Sequence, residues 1–128
     1  MIKVQDAMVK KVLTIDNNKT LQDAVKIMGT EHIGSLIVTK KGKPAAIFTE
    51  RDLITKVLYK SVSLKEKVGK YSSSPLTVIG PDMDLKDAAR AMHQLKIRRL
   101  PVISKGMLVG VVTSADIVKA LAEAPLSI

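Results

Sequence analysis

The chain of 128 residues and 13.9 kDa is one ordinary domain or two very small ones, long enough to bury a core. Apolar residues at 46% and charged residues at 26% exclude an intrinsically disordered chain, and the lack of cysteine excludes disulfides, thiolate nucleophiles and cysteine-ligated metal centres. Twenty-one Lys and Arg against twelve Asp and Glu leave a charge of +9, which raises the question of nucleic acid.

The excess gathers between residues 40 and 70, at Lys40, Lys41, Lys43, Lys56, Lys60, Lys65, Lys67 and Lys70. Only Phe48, Tyr59 and Tyr71 are aromatic, too few for the base-stacking platforms of single-strand and RNA modules. A solvated, lysine-rich surface is the favoured reading. The alternative is a basic interaction module that docks on an acidic protein or a nucleic acid. Apolar runs such as Leu36-Ile37-Val38 are too short to span a bilayer, and no basic segment followed by an apolar stretch opens the chain. A cytoplasmic protein without membrane association is expected.

In chain order, a short helical segment is expected around Val4 to Met8, then a strand at Leu13 to Ile15 that runs into the turn-formers Asp16-Asn17-Asn18. Leu21, Ala24, Val25 and Met28 fall on one face of an amphipathic helix. Ser35 to Thr39 forms a strand, Lys41-Gly42-Lys43 a turn, Ala45 to Phe48 a strand, and a helix with Leu53, Ile54 and Val57 starts after Thr49. A further helical segment is expected at Leu64 to Val68, opened by the capping box Ser63-x-x-Glu66. Leu76 to Ile79 is the next strand, followed by a helix with Leu85, Ala88, Ala89 and Met92. Strands at Leu100 to Ile103 and Leu108 to Val112 flank a turn at Lys105-Gly106, and a last helix after Thr113 carries Ile117, Val118 and Leu121.

The order strand, helix, strand, strand, helix occurs twice because the chain is a repeat. Residues 21–54 superimpose on 85–118 at an offset of 64 without a gap, with eleven identities that include Leu21/Leu85, Met28/Met92, Gly42/Gly106, Thr49/Thr113 and Asp52/Asp116. Upstream, Leu13-Thr14-Ile15 matches Leu76-Thr77-Val78 at an offset of 63, which predicts one extra residue in the second copy near Pro81. The chain divides accordingly into residues 1–58, a connecting segment 59–73, and residues 74–128. One βαββα unit cannot cover its own sheet. The expected fold is therefore α/β, with two βαββα repeats packed sheet to sheet, helices outside, a pseudo-two-fold axis and two equivalent clefts.

Thr49-x-x-Asp52 and Thr113-x-x-Asp116 stand at strand-to-helix junctions, and their chemistry reads in two ways. Thr at the N-cap with Asp three residues on is a capping box, as Thr20-x-x-Asp23 is expected to be. The same pattern also suits a nucleotide: a helix N-terminus attracts phosphate, and a carboxylate one turn in accepts the hydroxyls of a ribose. Arg98 and Arg99 precede a strand where the first copy has Gly34 and Ser35, and guanidinium forks pair well with phosphate oxygens.

Residues 7–57 and 71–121 resemble two cystathionine-β-synthase (CBS) domains. The matching features are Ala7-Met8 ahead of Leu13-Thr14-Ile15, the helix from Leu21 to Met28, Ile33-Gly34-Ser35-Leu36-Ile37-Val38, Gly42, and Phe48-Thr49-x-x-Asp52. The second copy has Ile97-Arg98-Arg99-Leu100-Pro101-Val102, Gly106 and Gly110-Val111-Val112-Thr113-x-x-Asp116. Tyr71-Ser72-Ser73-Ser74-Pro75 departs from the pattern, since the family often has a Met near Ser72. The resemblance implies a regulatory, energy-sensing module that binds AMP, ADP, ATP or S-adenosylmethionine, with Thr at the phosphate and Asp at the ribose. It implies a first site at Ile15, Asp16, Ile33, Gly34, Ser35, Thr49, Arg51 and Asp52. A second site follows at Val78, Ile79, Arg98, Arg99, Leu100, Pro101, Thr113 and Asp116. The two arginines should make the second site the better one for phosphates.

No enzymatic activity is expected, because no nucleophile and base are placed together by any motif. His32 and His93 lack further ligands at metal spacing, so no metal is expected, and no cofactor beyond the regulatory ligand. The resemblance also implies a homodimer, for which Leu53, Val57, Ile117, Val118 and Leu121 are the candidate surface, with some of them required to face the core, and an unidentified protein that responds to the ligand.

Overall fold

The computed structural model describes residues 1–124; the last four residues of the predicted segment 74–128 lie outside it. The elements are α1 (Val4–Ala7), β1 (Thr14–Asp16), α2 (Leu21–Glu31), β2 (Ser35–Lys40), β3 (Lys43–Thr49) and a single turn α3 (Glu50–Asp52). The helix begun by α3 widens into a π-helix at Leu53–Leu58, and a 3-10 turn follows at Val68–Tyr71. Then come α4 (Leu85–Leu95), β4 (Arg99–Ser104), β5 (Met107–Thr113) and α5 (Ser114–Glu123).

The middle of the repeat, helix and hairpin, is reproduced to the residue. β2, β3, α2 and β4, β5, α4 have bounds 64 apart, and so do the register shifts at Val38/Thr39 and Val102/Ile103. His32 and Lys96 end α2 and α4 in the same left-handed conformation. Both hairpins turn on Lys-Gly pairs with positive φ at each residue, 53° and 77° at Lys41 and Gly42, 51° and 76° at Lys105 and Gly106. That backbone matches the right-handed twist of the strands it joins.

One expectation fails here. Ile15 pairs with Val38 in the parallel β1–β2 ladder, and Ile79 forms the matching parallel bridge to Val102. Ile79 is buried like Ile15, whereas Val78 is exposed like Thr14. The offset is therefore 64 here too, and the second copy has no extra residue; the shared Leu-Thr letters outweighed the burial pattern. The predicted strand at Leu76 to Ile79 is reduced to that single bridge, held by Ile79 N–H to Pro101 O and Ile103 N–H to Ile79 O.

The chain forms two compact units whose boundaries cross the repeats. One is Leu13–Leu76; the other joins Met1–Val12 to the chain from Thr77 onward. Each unit thus combines the body of one repeat with the leading segment of the other. In the first unit Val68 is buried in the core with Leu21, Met28, Leu36, Phe48 and Val57. In the other, Val4 takes the same role beside Leu85, Met92, Leu100, Val102 and Val112. The matched bonds are Val68 N–H to Lys19 O (2.8 Å) and Val4 N–H to Met83 O (2.9 Å). The division 1–58, 59–73 and 74–128 does not follow these units, because residues 59–73 fold into the first one.

The second leading segment is not the helix expected at Leu64 to Val68. Ser63 Oγ accepts from Lys65 N–H in a local turn, and the helical turn comes later, at Val68–Tyr71, where Val68 can reach the core. In the second unit the leading segment lies so close to β5 that Gly110 has no room for a side chain. A Cβ there would sit 2.7 Å from Met8 Sδ and 2.9 Å from Val9 O.

Candidate functional site

In each unit the start of one strand lies beside the end of its hairpin partner, and a helix starts from that end. Ser35 is the register partner of Thr49, and Arg99 that of Thr113. Glu50 N–H donates to Gly34 O at 3.0 Å and Ser114 N–H to Arg98 O at 2.9 Å, which fixes each helix start against the preceding strand. These junctions bring together Gly34, Ser35, Thr49, Arg51 and Asp52 in the first unit, and Arg98, Arg99, Thr113 and Asp116 in the second. Arg51 and Arg98 are exposed, and Arg99 is half-buried.

Other candidates lie farther along the sheet. Ile15 and Asp16 pair with Val38 and Thr39, three and four residues from Ser35, or roughly 10–13 Å at strand rise. Ile79 stands at the same remove from Arg99. Ile15, Ile79, Leu100 and Pro101 bury their side chains, so only their backbone could address a ligand. Ile15 O already accepts from Thr39 Oγ1, and Asp16 Oδ1 accepts from Asn18 N–H in a local turn. Ile33 is a half-buried flank of the first core, and Val78 is exposed.

All three Thr-x-x-Asp sets form capping boxes. At the junctions the carboxylate Oδ2 accepts from both the backbone N–H and the hydroxyl of the threonine. The distances are 3.0 and 3.1 Å for Asp52, and 2.8 and 2.9 Å for Asp116. Each threonine Oγ1 in turn accepts from the aspartate N–H. The cap and the ligand readings are therefore compatible in geometry: the box uses one carboxylate oxygen and leaves the other.

The two remaining oxygens differ. Asp52 Oδ1 accepts from Lys56 Nζ and from Ser73 Oγ, each at 3.1 Å, and Lys56 Nζ also donates to Ser73 Oγ at 3.1 Å. Asp116 Oδ1 makes no hydrogen bond among the described residues. Sequence reasoning missed Lys56 and Ser73. The i,i+4 spacing of Asp52 and Lys56 was a usable signal, but Ser73 lies in what read as a connector. The Ser73–Lys56 pair has the composition of a serine–lysine dyad with the opposite polarity. A catalytic serine gives its proton to the amine, whereas Ser73 gives its own to Asp52 and accepts from Lys56.

Among the described residues, no group of three or more His, Cys, Asp and Glu could hold a metal ion, and no helix is long and apolar enough to cross a membrane. Of the five candidates for a dimer surface, Val57 and Ile117 are the ones that face the cores, and Leu53 is half-buried. The apolar residues exposed on the terminal helices are Ile54 and Leu58 in the first unit, Val118 and Leu121 in the second.

The model of the CBS domain family matches residues 4–59 and 68–123, so each match includes a leading segment. The CBS domain-containing protein YhcV from Bacillus subtilis is 32% identical over 117 residues, covering 91% of this chain and 84% of that one. Against two longer relatives the chain spans 42% and 32% of their length. Among solved structures, a signal-transduction protein with CBS domains from Burkholderia ambifaria, so described as putative, superimposes with a TM-score of 0.85 at 28% identity, covering 93% of this chain and 89% of that one. The CBS domain protein PAE2072 from Pyrobaculum aerophilum, solved in complex with AMP, shares the fold with a TM-score of 0.84 at 22% identity, covering 96% and 100%. With both repeats matched, the chain belongs to the CBS domain family and carries two copies of the domain.

Proposed function

We propose that the chain is a regulatory module that binds an adenosyl ligand, AMP, ADP, ATP or S-adenosylmethionine, and reports its presence to another protein without chemically changing it. The observation that carries this reading is the second junction. Arg99 stands beside Thr113 across the β4–β5 ladder, Arg98 adjoins it, and Asp116 keeps Oδ1 open one turn into α5. Cations for phosphate and an ionised acceptor for vicinal hydroxyls stand at one helix start, which is the polar equipment a nucleotide needs. The exposed Val78, beside the Ile79 bridge and farther along the sheet, is where the far end of such an elongated ligand would lie. The AMP held by the Pyrobaculum protein of the same fold supports this choice of ligand class. The exposed apolar residues of the terminal helices support a homodimer, which sedimentation at micromolar concentration tests.

The test of the ligand is thermal unfolding with AMP, ADP, ATP, S-adenosylmethionine and adenosine, beside DNA and RNA binding over a salt series. A ligand at 100 times its dissociation constant stabilises by about 2.7 kcal/mol, which a melting curve resolves. Stabilisation by one of these ligands supports the proposal. Salt-steep nucleic-acid binding with no ligand effect would replace it with the basic interaction module.

A further inference from the structure

The two Thr-x-x-Asp junctions are alike in sequence and unlike in what holds the carboxylate. Asp52 is 5% exposed, and four donors meet its two oxygens: Thr49 N–H and Oγ1 at Oδ2, Lys56 Nζ and Ser73 Oγ at Oδ1. A carboxylate has about four lone-pair sites, so Asp52 is saturated. The triangle of Asp52, Lys56 and Ser73 closes as well, since Lys56 Nζ donates to Ser73 Oγ. Ser73 is placed there by the leading segment, whose backbone exchanges two hydrogen bonds with Ile47, at 2.8 and 3.0 Å.

The second unit contains the same crossing without the same chemistry. Val9 exchanges the matching pair of bonds with Val111, at 2.9 and 3.0 Å, so Val9 occupies the position of Ser73. Ala120, in the regular helix α5, is the sequence counterpart of Lys56, which lies in the π-helix 64 residues earlier. Neither can donate to Asp116, which is only half-buried.

We infer that Lys56 and Ser73 are specificity determinants that turn Asp52 into a structural carboxylate, leaving Asp116 as the acceptor that reads ligand hydroxyls. This rests on the adenosyl-ligand reading for its second half only. A ribose at Asp52 would have to displace the half-exposed Lys56 ammonium together with a serine hydroxyl from a buried carboxylate. At Asp116 it displaces water. Two matching motifs therefore give one hydroxyl-reading site.

Calorimetric titration with AMP and thermal unfolding test both halves on the full chain. For the lock, Asp52→Asn, Lys56→Met and the double variant form a cycle of melting temperatures. The double variant should melt close to the worse single variant; additive losses would overturn the lock. For the ligand, the wild-type protein should bind one AMP per chain. Asp116→Asn should weaken that binding at least tenfold, while Asp52→Asn should leave it within twofold. Should Asp52→Asn not fold, Lys56→Met with Ser73→Val decides: freed of both donors, Asp52 should admit a second, weaker AMP. Two AMP already bound by the wild-type protein, or a tenfold loss from Asp52→Asn, would overturn the inference. No heat from AMP, ADP, ATP or S-adenosylmethionine with any variant would instead overturn the ligand reading, and the melting cycle would still decide the lock.

Discussion

Thr113 and Asp116 hold each other through three hydrogen bonds of 2.8–3.2 Å, all made on one carboxylate oxygen and one hydroxyl. The start of α5 is therefore built before any ligand arrives, and Asp116 is held in place with Oδ1 available. A pre-placed acceptor loses little entropy on binding.

Asp116→Ala should cost ligand affinity more than stability. Two charge-assisted bonds of about 1.5–3 kcal/mol each correspond to about a hundredfold or more in the dissociation constant. The lost capping box should lower folding stability by only about 1 kcal/mol. Calorimetry and urea unfolding of the same preparation check both numbers. Unchanged affinity would reduce Thr113-x-x-Asp116 to a cap.

Arg98→Ala with Arg99→Ala should weaken ATP and AMP but leave adenosine nearly unaffected. Because Arg98 is exposed and Arg99 half-buried, the preference for phosphates should shrink as ionic strength rises. Equal losses for all three ligands would mean that the arginines shape β4 and do not read phosphate.

Crossed units carry a stability prediction for the first residues of the chain. Val4 is fully buried in the unit formed with the second repeat. Val4→Ala should cost about 2 kcal/mol. Gly110→Ala, which must push Met8 and the Val9 carbonyl aside, should cost about 1–3 kcal/mol. Hydrogen exchange should show both losses in α4, β4 and β5; protection lost in β2 and β3 instead would contradict the assignment of units.

Much of this was legible in the sequence because packing obeys short periods. Leu21, Ala24 and Met28 repeat as Leu85, Ala88 and Met92, and all six are buried. The junction motifs were legible for the same reason, as each is closed within three residues. The crossing was not, because nothing local tells Val4 which core it will enter. The saturation of Asp52 was hidden likewise: its serine lies 21 residues away, in a segment with no periodicity.

The Thr20–Asp23 box predicts a response to acid. The bond from Thr20 N–H, then that from its hydroxyl, hold the Asp23 carboxyl below its ordinary value of 3.8. A lowered folded-state value contributes stability above the unfolded value and loses it as pH falls through the folded one. The stability gap between the wild-type protein and Asp23→Asn should be constant above about pH 5 and close below the ordinary aspartate value. A gap independent of pH would show that the carboxylate charge contributes nothing to the cap.

The central claim is tested most directly by amide chemical-shift mapping of the full chain titrated with AMP. The account predicts saturable shifts concentrated at Arg98 to Leu100 and Thr113 to Ile117, with smaller ones at Ile79. No saturable shifts up to millimolar AMP, or shifts spread over the lysines of residues 40–70, would contradict it.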